Sequence, residues 1–186
     1  MKHKDRVRGS PKTTLAKLNS QPQPSQIRNP SNHSQFAFDL KMAAEDLLPR
    51  EYGYVVLVLV SYCFLNFFMA FSVGKARKKY KVFFPTLYAL ESENKDAKLF
   101  NCVQRGHQNS LEMMPVFFML MILGGIGYPL TCAALGSVYT VSRYFYFTGY
   151  STGDPENRLK LGKYAFLAVF GLMICNILFA INIVRG

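Results

Sequence analysis

The chain has 186 residues, half of them hydrophobic and 15% aromatic, with a formal net charge of +11. Its length fits a single domain rather than several. The positive charge occurs without a recognisable folded basic module, so nucleic-acid binding is not expected.

The first predicted segment, residues 1–48, is polar and basic. Within residues 1–41, eight Lys or Arg accompany two Asp, a net charge of +6, and Ser, Pro, Gln and Asn are abundant. This composition predicts a disordered extension. Its excess of basic over acidic residues also fits an organelle transit peptide, although no amphipathic Arg-rich helix is evident. We favour an upstream extension, with the working start at Met42.

Four apolar segments follow, and they predict an all-α fold, a bundle of four transmembrane helices over residues 49–186. Residues 52–74 carry no charge and are long enough to span about 30 Å of hydrocarbon. Residues 164–184 form a second uncharged run of spanning length. Between them, residues 113–142 lack charge but are interrupted at Gly124–Pro129, so each arm of this hairpin must include adjacent polar residues. The predicted helices cover residues 52–74, 99–124, 130–150 and 163–184.

Lys and Arg are concentrated in two of the predicted loops. The loop after the first helix and the loop after the third are basic, whereas the turn of the hairpin has no charge. Because short loops rich in Lys and Arg stay cytoplasmic, we expect both basic loops in the cytosol and both termini on the opposite side. These residues are Lys75, Arg77, Lys78, Lys79, Lys81, Lys95 and Lys98 in the first loop, and Arg158, Lys160 and Lys163 in the second.

The cysteines are widely spaced, with neither a CxxC pair nor the spacing of a metal site. All lie in or beside apolar segments, which favours reduced, buried thiols over disulfides or bound zinc. No metal is therefore expected. The cysteines are Cys63, Cys102, Cys132 and Cys175.

Two polar stripes flank the uncharged hairpin, each on one face of its predicted helix. With a rise of 1.5 Å per residue, Glu112 lies about 18 Å from Gly124, and Arg143 lies about 20 Å from Leu130. The two stripes should therefore occupy one level of the bundle. Ionisable residues inside membrane helices indicate a functional site. The first stripe contains Asn101, Arg105, Gln108, Asn109 and Glu112, and the second contains Tyr139, Arg143, Tyr146 and Tyr150.

The chemistry of the stripes favours a small zwitterionic or anionic ligand. Arg105 and Arg143 can bind carboxylates through paired N–H donors, whereas Glu112 suits an ammonium group. A second interpretation is that Glu112 and Arg143 pair only to stabilise the bundle, since buried charges in membranes usually pair. That interpretation does not explain the Asn, Gln and Tyr side chains on the same faces.

Three segments carry a resemblance to a known family. They are residues 76–82 (ARKKYKV), 105–112 (RGHQNSLE) and 143–150 (RYFYFTGY). In this order they resemble the MAPEG membrane proteins of eicosanoid and glutathione metabolism. The similarity covers about residues 50–186 and leaves the N-terminal extension without a counterpart.

The resemblance implies a MAPEG-like four-helix subunit that forms a homotrimer and binds glutathione, as co-substrate, between subunits at the cytosolic side. Carried over by position, Arg105, Asn109 and Glu112 would hold the peptide part of glutathione, with Glu112 on its amino group. By position, His107 would also line the glutathione site, but it lies two residues off the first stripe, so a helix-packing role is equally open for it. The remaining glutathione-binding candidates are Arg77, Arg143, Tyr146 and Tyr150.

The resemblance also implies a catalytic arginine shortly after the Gly-Tyr of the third helix. Arg158 is the candidate, and Lys160 is the second choice because residues 151–157 leave the register open. A free cysteine thiol has a pKa of about 8.5, so a nearby cation is needed to keep it ionised at neutral pH. The other interpretation is that Arg158 is an exposed loop cation without such a role.

The expected function is that of a membrane glutathione transferase and glutathione-dependent lipid hydroperoxide peroxidase of the endoplasmic reticulum. A lipophilic electrophile or lipid hydroperoxide would enter from the bilayer. Its path would follow a wall formed by Met113, Met114, Phe117 and Phe118. One alternative is a non-enzymatic lipid-binding scaffold of the same fold that presents fatty acids to a partner enzyme. Another is a small transporter, against which the uncharged half of the bundle argues.

Overall fold

A computed structural model describes residues 34–39, 42 and 48–186. Residues 34–39 are helical and exposed. The rest of the basic extension lies outside the described residues, and so do the predictions of disorder and of a transit peptide made for it. The chain divides into a unit ending at Ala43 and a larger unit from Ala44 to Gly186, which contains the long helices.

The first long helix, α1, spans Tyr52–Tyr80. It starts with the uncharged run but continues beyond residue 74, where the loss of apolar residues predicts its end. The extra turns are basic, and positive side chains near a helix C-terminus interact favourably with the helix dipole. Lys81 ends the helix in the left-handed conformation, with φ 56° and its N–H bonded to the carbonyl of Arg77.

The next two helices form the predicted hairpin with Tyr128 alone between them. They are α2, Ala97–Gly127, and α3, Pro129–Tyr150. The N–H of Tyr128 donates to the carbonyl of Gly124 at 2.8 Å. Pro129 stands in the first turn of α3, where its missing N–H costs no helical hydrogen bond. The tight turn places the two polar stripes on adjacent helices.

The chain after α3 makes two short turns before the last helix. Pro155–Arg158 is a 3-10 turn, and Leu159–Gly162 is a single α-helical turn. The last helix, α4, spans Tyr164–Arg185. The side chain of Asp154 accepts the N–H of Glu156 at 3.0 Å and so caps the 3-10 turn.

Among the described residues, three helices, α1, α2 and α4, are long and apolar enough to cross a membrane. No strand occurs in the part of the chain that the structure describes. The predicted all-α fold is therefore confirmed. Because α3 carries many polar residues, it falls outside this group, and the count of four membrane spans stays a prediction.

The core lies around three aromatic rings from different helices. Tyr62 of α1, Phe117 of α2 and Tyr139 of α3 are at most 1% exposed. The rings of Phe117 and Tyr139 stack with 4.1 Å between centroids. A second apolar cluster packs beside the polar stripes and ties α1 and α3 to the start of α2. It includes Met69, Phe100, Val103 and Phe147.

Candidate functional site

Arg105, Asn109 and Glu112 meet on one face of α2. Nη1 of Arg105 donates to Oε1 of Glu112 at 2.6 Å. Nδ2 of Asn109 donates to Oε2 of the same carboxylate at 3.4 Å. The Arg105 and Glu112 side chains are 40% and 45% exposed. Arg105 and Asn109, on the same face of the helix, therefore hold one oxygen of Glu112 each. The ion pair stays open to a ligand.

Arg143 of α3 joins this group through Asn109. Its Nη2 donates to Oδ1 of Asn109 at 2.9 Å and to Oγ of Ser110 at 2.8 Å. Asn109 thus connects the α2 carboxylate to the α3 guanidinium. Within the described residues, Glu112 forms its ion pair with Arg105 and not with Arg143. The purely structural Glu112–Arg143 pair considered above is not formed.

The guanidinium of Arg143 is buried and forms no ion pair in the described part of the chain. The residue is 3% exposed, and its Nε has no hydrogen-bond partner there. Its Cζ lies 4.3 Å from the ring centroid of Tyr146. Because burying an unpaired cation is costly, this free donor suits an anionic group of a ligand. The donor set therefore fits a carboxylate.

Tyr146, Tyr150 and Arg158 continue the site beyond the end of α3. The two tyrosine rings lie 5.9 Å apart, edge to face. Cζ of Arg158 lies 5.3 Å from the ring centroid of Tyr150. Nη1 of Arg158 donates to the carbonyl of Pro155 at 2.6 Å, which fixes the direction of the guanidinium.

Two glycines allow the segment after α3 to pack against that helix. A Cβ at Gly149 would lie 2.5 Å from the carbonyl oxygen of Asn157 and 3.2 Å from Cα of Arg158. A Cβ at Gly162 would lie 2.8 Å from Cβ of Tyr146. These distances are too short for a methyl group. Glycine at both positions therefore lets the chain bring Arg158 back to Tyr150.

The two other predicted site residues, Arg77 and His107, lie away from this group of contacts. Arg77 is buried, donates to the carbonyl of Thr86 at 2.8 Å and faces the ring of Phe84 at 4.4 Å. Nε2 of His107 lies 3.1 Å from Oδ1 of Asn66 on α1. Lys160, the second choice for catalysis, is exposed in the turn after Arg158.

A groove of about 760 Å³ lies beside Arg77, between the end of α1 and the loop that follows. Aromatic side chains form its wall, and Lys75, Lys78 and Arg77 form its basic edge. Phe117, by contrast, was predicted to line a lipophilic wall but is buried in the aromatic core. The aromatic residues of the groove are Phe68, Phe71, Phe83 and Phe84.

Sequence reasoning missed two contributors to the site. Ser110 is fully buried and accepts from Arg143. Its position within the 105–112 motif, one residue after Asn109, was the only signal for it. The hydroxyl of Tyr88, in the loop between α1 and α2, hydrogen-bonds to Oε1 of Gln108. A loop residue carries no helical periodicity, so the sequence pattern did not single it out.

The MAPEG family signature matches residues 55–178, which include every candidate site residue from Arg77 to Arg158. The chain belongs to the MAPEG family. MAPEG proteins are helical membrane proteins, which agrees with the apolar α1, α2 and α4. Together these findings identify the chain as a multi-pass membrane protein.

Three relatives are named microsomal glutathione S-transferase 2. The Bos taurus protein is 37% identical over 120 residues, which cover 62% of this MAPEG chain and 77% of that relative. The Homo sapiens protein is 34% identical over 120 residues, covering 62% and 76% of the two chains. The Mus musculus protein is 34% identical over 121 residues, again covering 62% and 76%.

The branch of this MAPEG chain within its family is a separate question. Residues 74–82 (GKARKKYKV) and 150–155 (YSTGDP) lead us to predict the branch of microsomal glutathione S-transferase 3. The relatives reported above carry the name of the second transferase instead. Family membership is shown, and the branch stays a prediction.

Proposed function

We propose that this MAPEG protein is an integral membrane glutathione transferase that also reduces lipid hydroperoxides. The transferase activity is supported by relatives named glutathione S-transferase at 34% to 37% identity. The observation that carries the proposal is the continuous set of contacts from Arg105 through Glu112 and Asn109 to Arg143. It joins two cations, one anion and one amide at the level where two membrane helices meet.

Glutathione offers the complementary groups: one ammonium, two carboxylates, two amides and a thiol. Glu112 would bind the ammonium, and Arg105 and Arg143 would bind carboxylates with their unused N–H donors. Asn109 orients both partners because its side chain bonds to Glu112 on one side and Arg143 on the other. Tyr146 and Tyr150 add aromatic surface and hydroxyl groups toward Arg158.

Arg158 would activate the thiol. The thiolate is the reactive form, and a fixed cation nearby lowers the free energy of ionisation. The Pro155 carbonyl and the Tyr150 ring hold the Arg158 guanidinium in place before any ligand binds. Such a preorganised charge stabilises the anion without reorganisation during the reaction.

Two reactions follow from a stabilised thiolate. In conjugation, the sulfur forms a bond to an electrophilic carbon, and any leaving group departs with the electron pair. In reduction, the sulfur attacks the terminal oxygen of a hydroperoxide, the O–O bond breaks and the alkoxide takes a proton to become an alcohol. A second glutathione then displaces water from the resulting sulfenic acid and yields the disulfide.

The location of Arg77 supports an assembly in which one subunit completes the site of another. In a single chain, Arg77 bonds to Thr86 and lies in the groove beside aromatic residues. In a homotrimer, Arg77 and this groove would face the neighbouring site and admit the lipophilic substrate from the bilayer. The basic loops would be cytosolic, where glutathione is available, in the endoplasmic reticulum membrane.

The proposal is tested with purified protein in lipid nanodiscs, measuring glutathione binding by calorimetry and thiolate formation by ultraviolet difference absorbance. A conjugation substrate and a lipid hydroperoxide are then compared as second substrates. Binding, a thiolate signal and turnover of either substrate are expected. Fatty-acid binding without glutathione binding would contradict the proposal and support the lipid-binding scaffold.

A further inference from the structure

The loop between α1 and α2 is bonded to α2 at two successive residues. Both backbone groups of Ala89 bond to the side-chain amide of Asn101: its N–H at 2.8 Å and its carbonyl at 2.9 Å. The preceding residue, Tyr88, hydrogen-bonds through its hydroxyl to Oε1 of Gln108. We call residues 86–89 the strap.

The two anchors of the strap on α2 lie on either side of Arg105. Asn101 is four residues before Arg105 and Gln108 is three residues after it, which places all three on one face of the helix. The Tyr88 side chain runs from the residue next to Ala89, which is bonded to Asn101, as far as Gln108, and so spans the turn of α2 that carries Arg105. Arg105 extends along the helix in the same direction, past Gln108, to Glu112. The strap therefore lies beside the exposed guanidinium.

The strap is also fixed at its other end. Arg77 of α1 donates to the carbonyl of Thr86 at 2.8 Å. Ala89 is 8% exposed and packs in the apolar cluster that contains Phe100 and Val103. With contacts to both helices, the strap can hold the Tyr88 hydroxyl at a defined position.

We propose that Tyr88 is a positioning residue for glutathione, acting through Arg105. This inference rests on the proposed function. A free arginine side chain samples many rotamers and loses that freedom when it binds a ligand. By restricting Arg105 in the unbound protein, Tyr88 lowers this entropic cost, so that the guanidinium keeps its bond to Glu112 and presents its remaining donors to a carboxylate.

The test compares wild type, Tyr88→Phe and Tyr80→Phe in nanodiscs, with glutathione affinity measured by calorimetry. Tyr88→Phe keeps the ring and removes only the hydroxyl, and we expect Kd and KM for glutathione to rise about two- to tenfold. The kcat and the thiolate signal at saturating glutathione should be unchanged. Tyr80→Phe is the matched control, because its ring contacts Lys79 at the end of α1, and affinity should not change.

A double-mutant cycle with Arg105→Lys tests whether the effect passes through Arg105. In the Arg105→Lys background, Tyr88→Phe should cause no further loss of affinity, because the guanidinium to be positioned is gone. Gln108→Leu removes the partner of Tyr88 and should weaken glutathione binding in the same direction. It provides a second readout if Tyr88→Phe proves unstable.

Three results would overturn the inference. Equal glutathione affinity in wild type and Tyr88→Phe would remove any role for the hydroxyl while leaving the proposed function intact. A full additional loss in the Arg105→Lys background would mean that Tyr88 does not act through Arg105. Absence of glutathione binding by wild type would instead overturn the proposed function together with the inference.

Discussion

Gly149 and Arg158 are in such close backbone contact that a side chain at position 149 would displace the arginine. A Cβ there would lie 3.2 Å from Cα of Arg158 and 2.5 Å from the carbonyl oxygen of Asn157. We predict that Gly149→Ala lowers kcat about ten- to a hundredfold, because small displacements of a catalytic group have large effects on rate. Glutathione affinity, measured by calorimetry, should change little. Gly53→Ala, in the first turn of α1, is the control, since a Cβ there meets nothing within 4 Å, and turnover equal to that control would contradict the prediction.

Arg158→Leu should abolish thiolate stabilisation and leave glutathione binding partly intact. Without the cation, a thiol with a pKa of about 8.5 is only about 3% ionised at pH 7. The measurement is the thiolate absorbance after glutathione is added, with binding followed in parallel. Lys160→Leu is the matched control two residues away. An undiminished signal in Arg158→Leu together with its loss in Lys160→Leu would assign the role to Lys160.

Glu112→Gln should weaken glutathione binding about tenfold, because a charge-assisted bond to the ammonium becomes a neutral one. The substitution also removes the ion pair to Arg105, so part of the loss will come from a less ordered guanidinium. At saturating glutathione the thiolate signal should persist, since Arg158 is unchanged. Glu91→Gln, an exposed loop carboxylate, serves as control. Unaltered affinity would leave Glu112 with a structural role alone.

Ser110→Ala should destabilise the protein by about 1 kcal/mol, because Arg143 loses one of its neutral acceptors in a buried position. Thermal unfolding in detergent measures the change. Ser72→Ala is the control, since the Ser72 hydroxyl donates to the Phe68 carbonyl of its own helix turn. If both variants unfold at the same temperature, the bond between Ser110 and Arg143 does not contribute to stability.

The level and the helical phase of the site could be predicted from the sequence. Counting residues from the hairpin turn places Glu112 and Arg143 at similar depths, and the 3.6-residue period places Asn109 beside them. The structure joins Glu112 and Arg143 through Asn109, as the residue count and the helical period together imply. Helical geometry is local, so it can be derived without knowing the rest of the fold.

Contacts that depend on irregular segments could not be predicted. Tyr88 reaches Gln108 because the strap folds onto α2, and no sequence period specifies that path. The Arg77 side chain points into the loop after α1, where it donates to the carbonyl of Thr86. The direction of Arg158 depends on the space left by glycines in α3 and in the turn after it. Each of these contacts depends on how an irregular segment packs against the helices.

The one-residue connection at Tyr128 makes the chain unequally tolerant of insertions and deletions. Since α2 and α3 share this turn, the meeting of Asn109 and Arg143 depends on how many residues separate each from it. One residue added between positions 130 and 142 would rotate Arg143 about 100° around α3 and carry it away from Asn109. Changes of length within the connection from α1 to α2 would not change the positions of Asn109 and Arg143 relative to each other. We therefore expect length variation among homologous chains to be concentrated outside the hairpin.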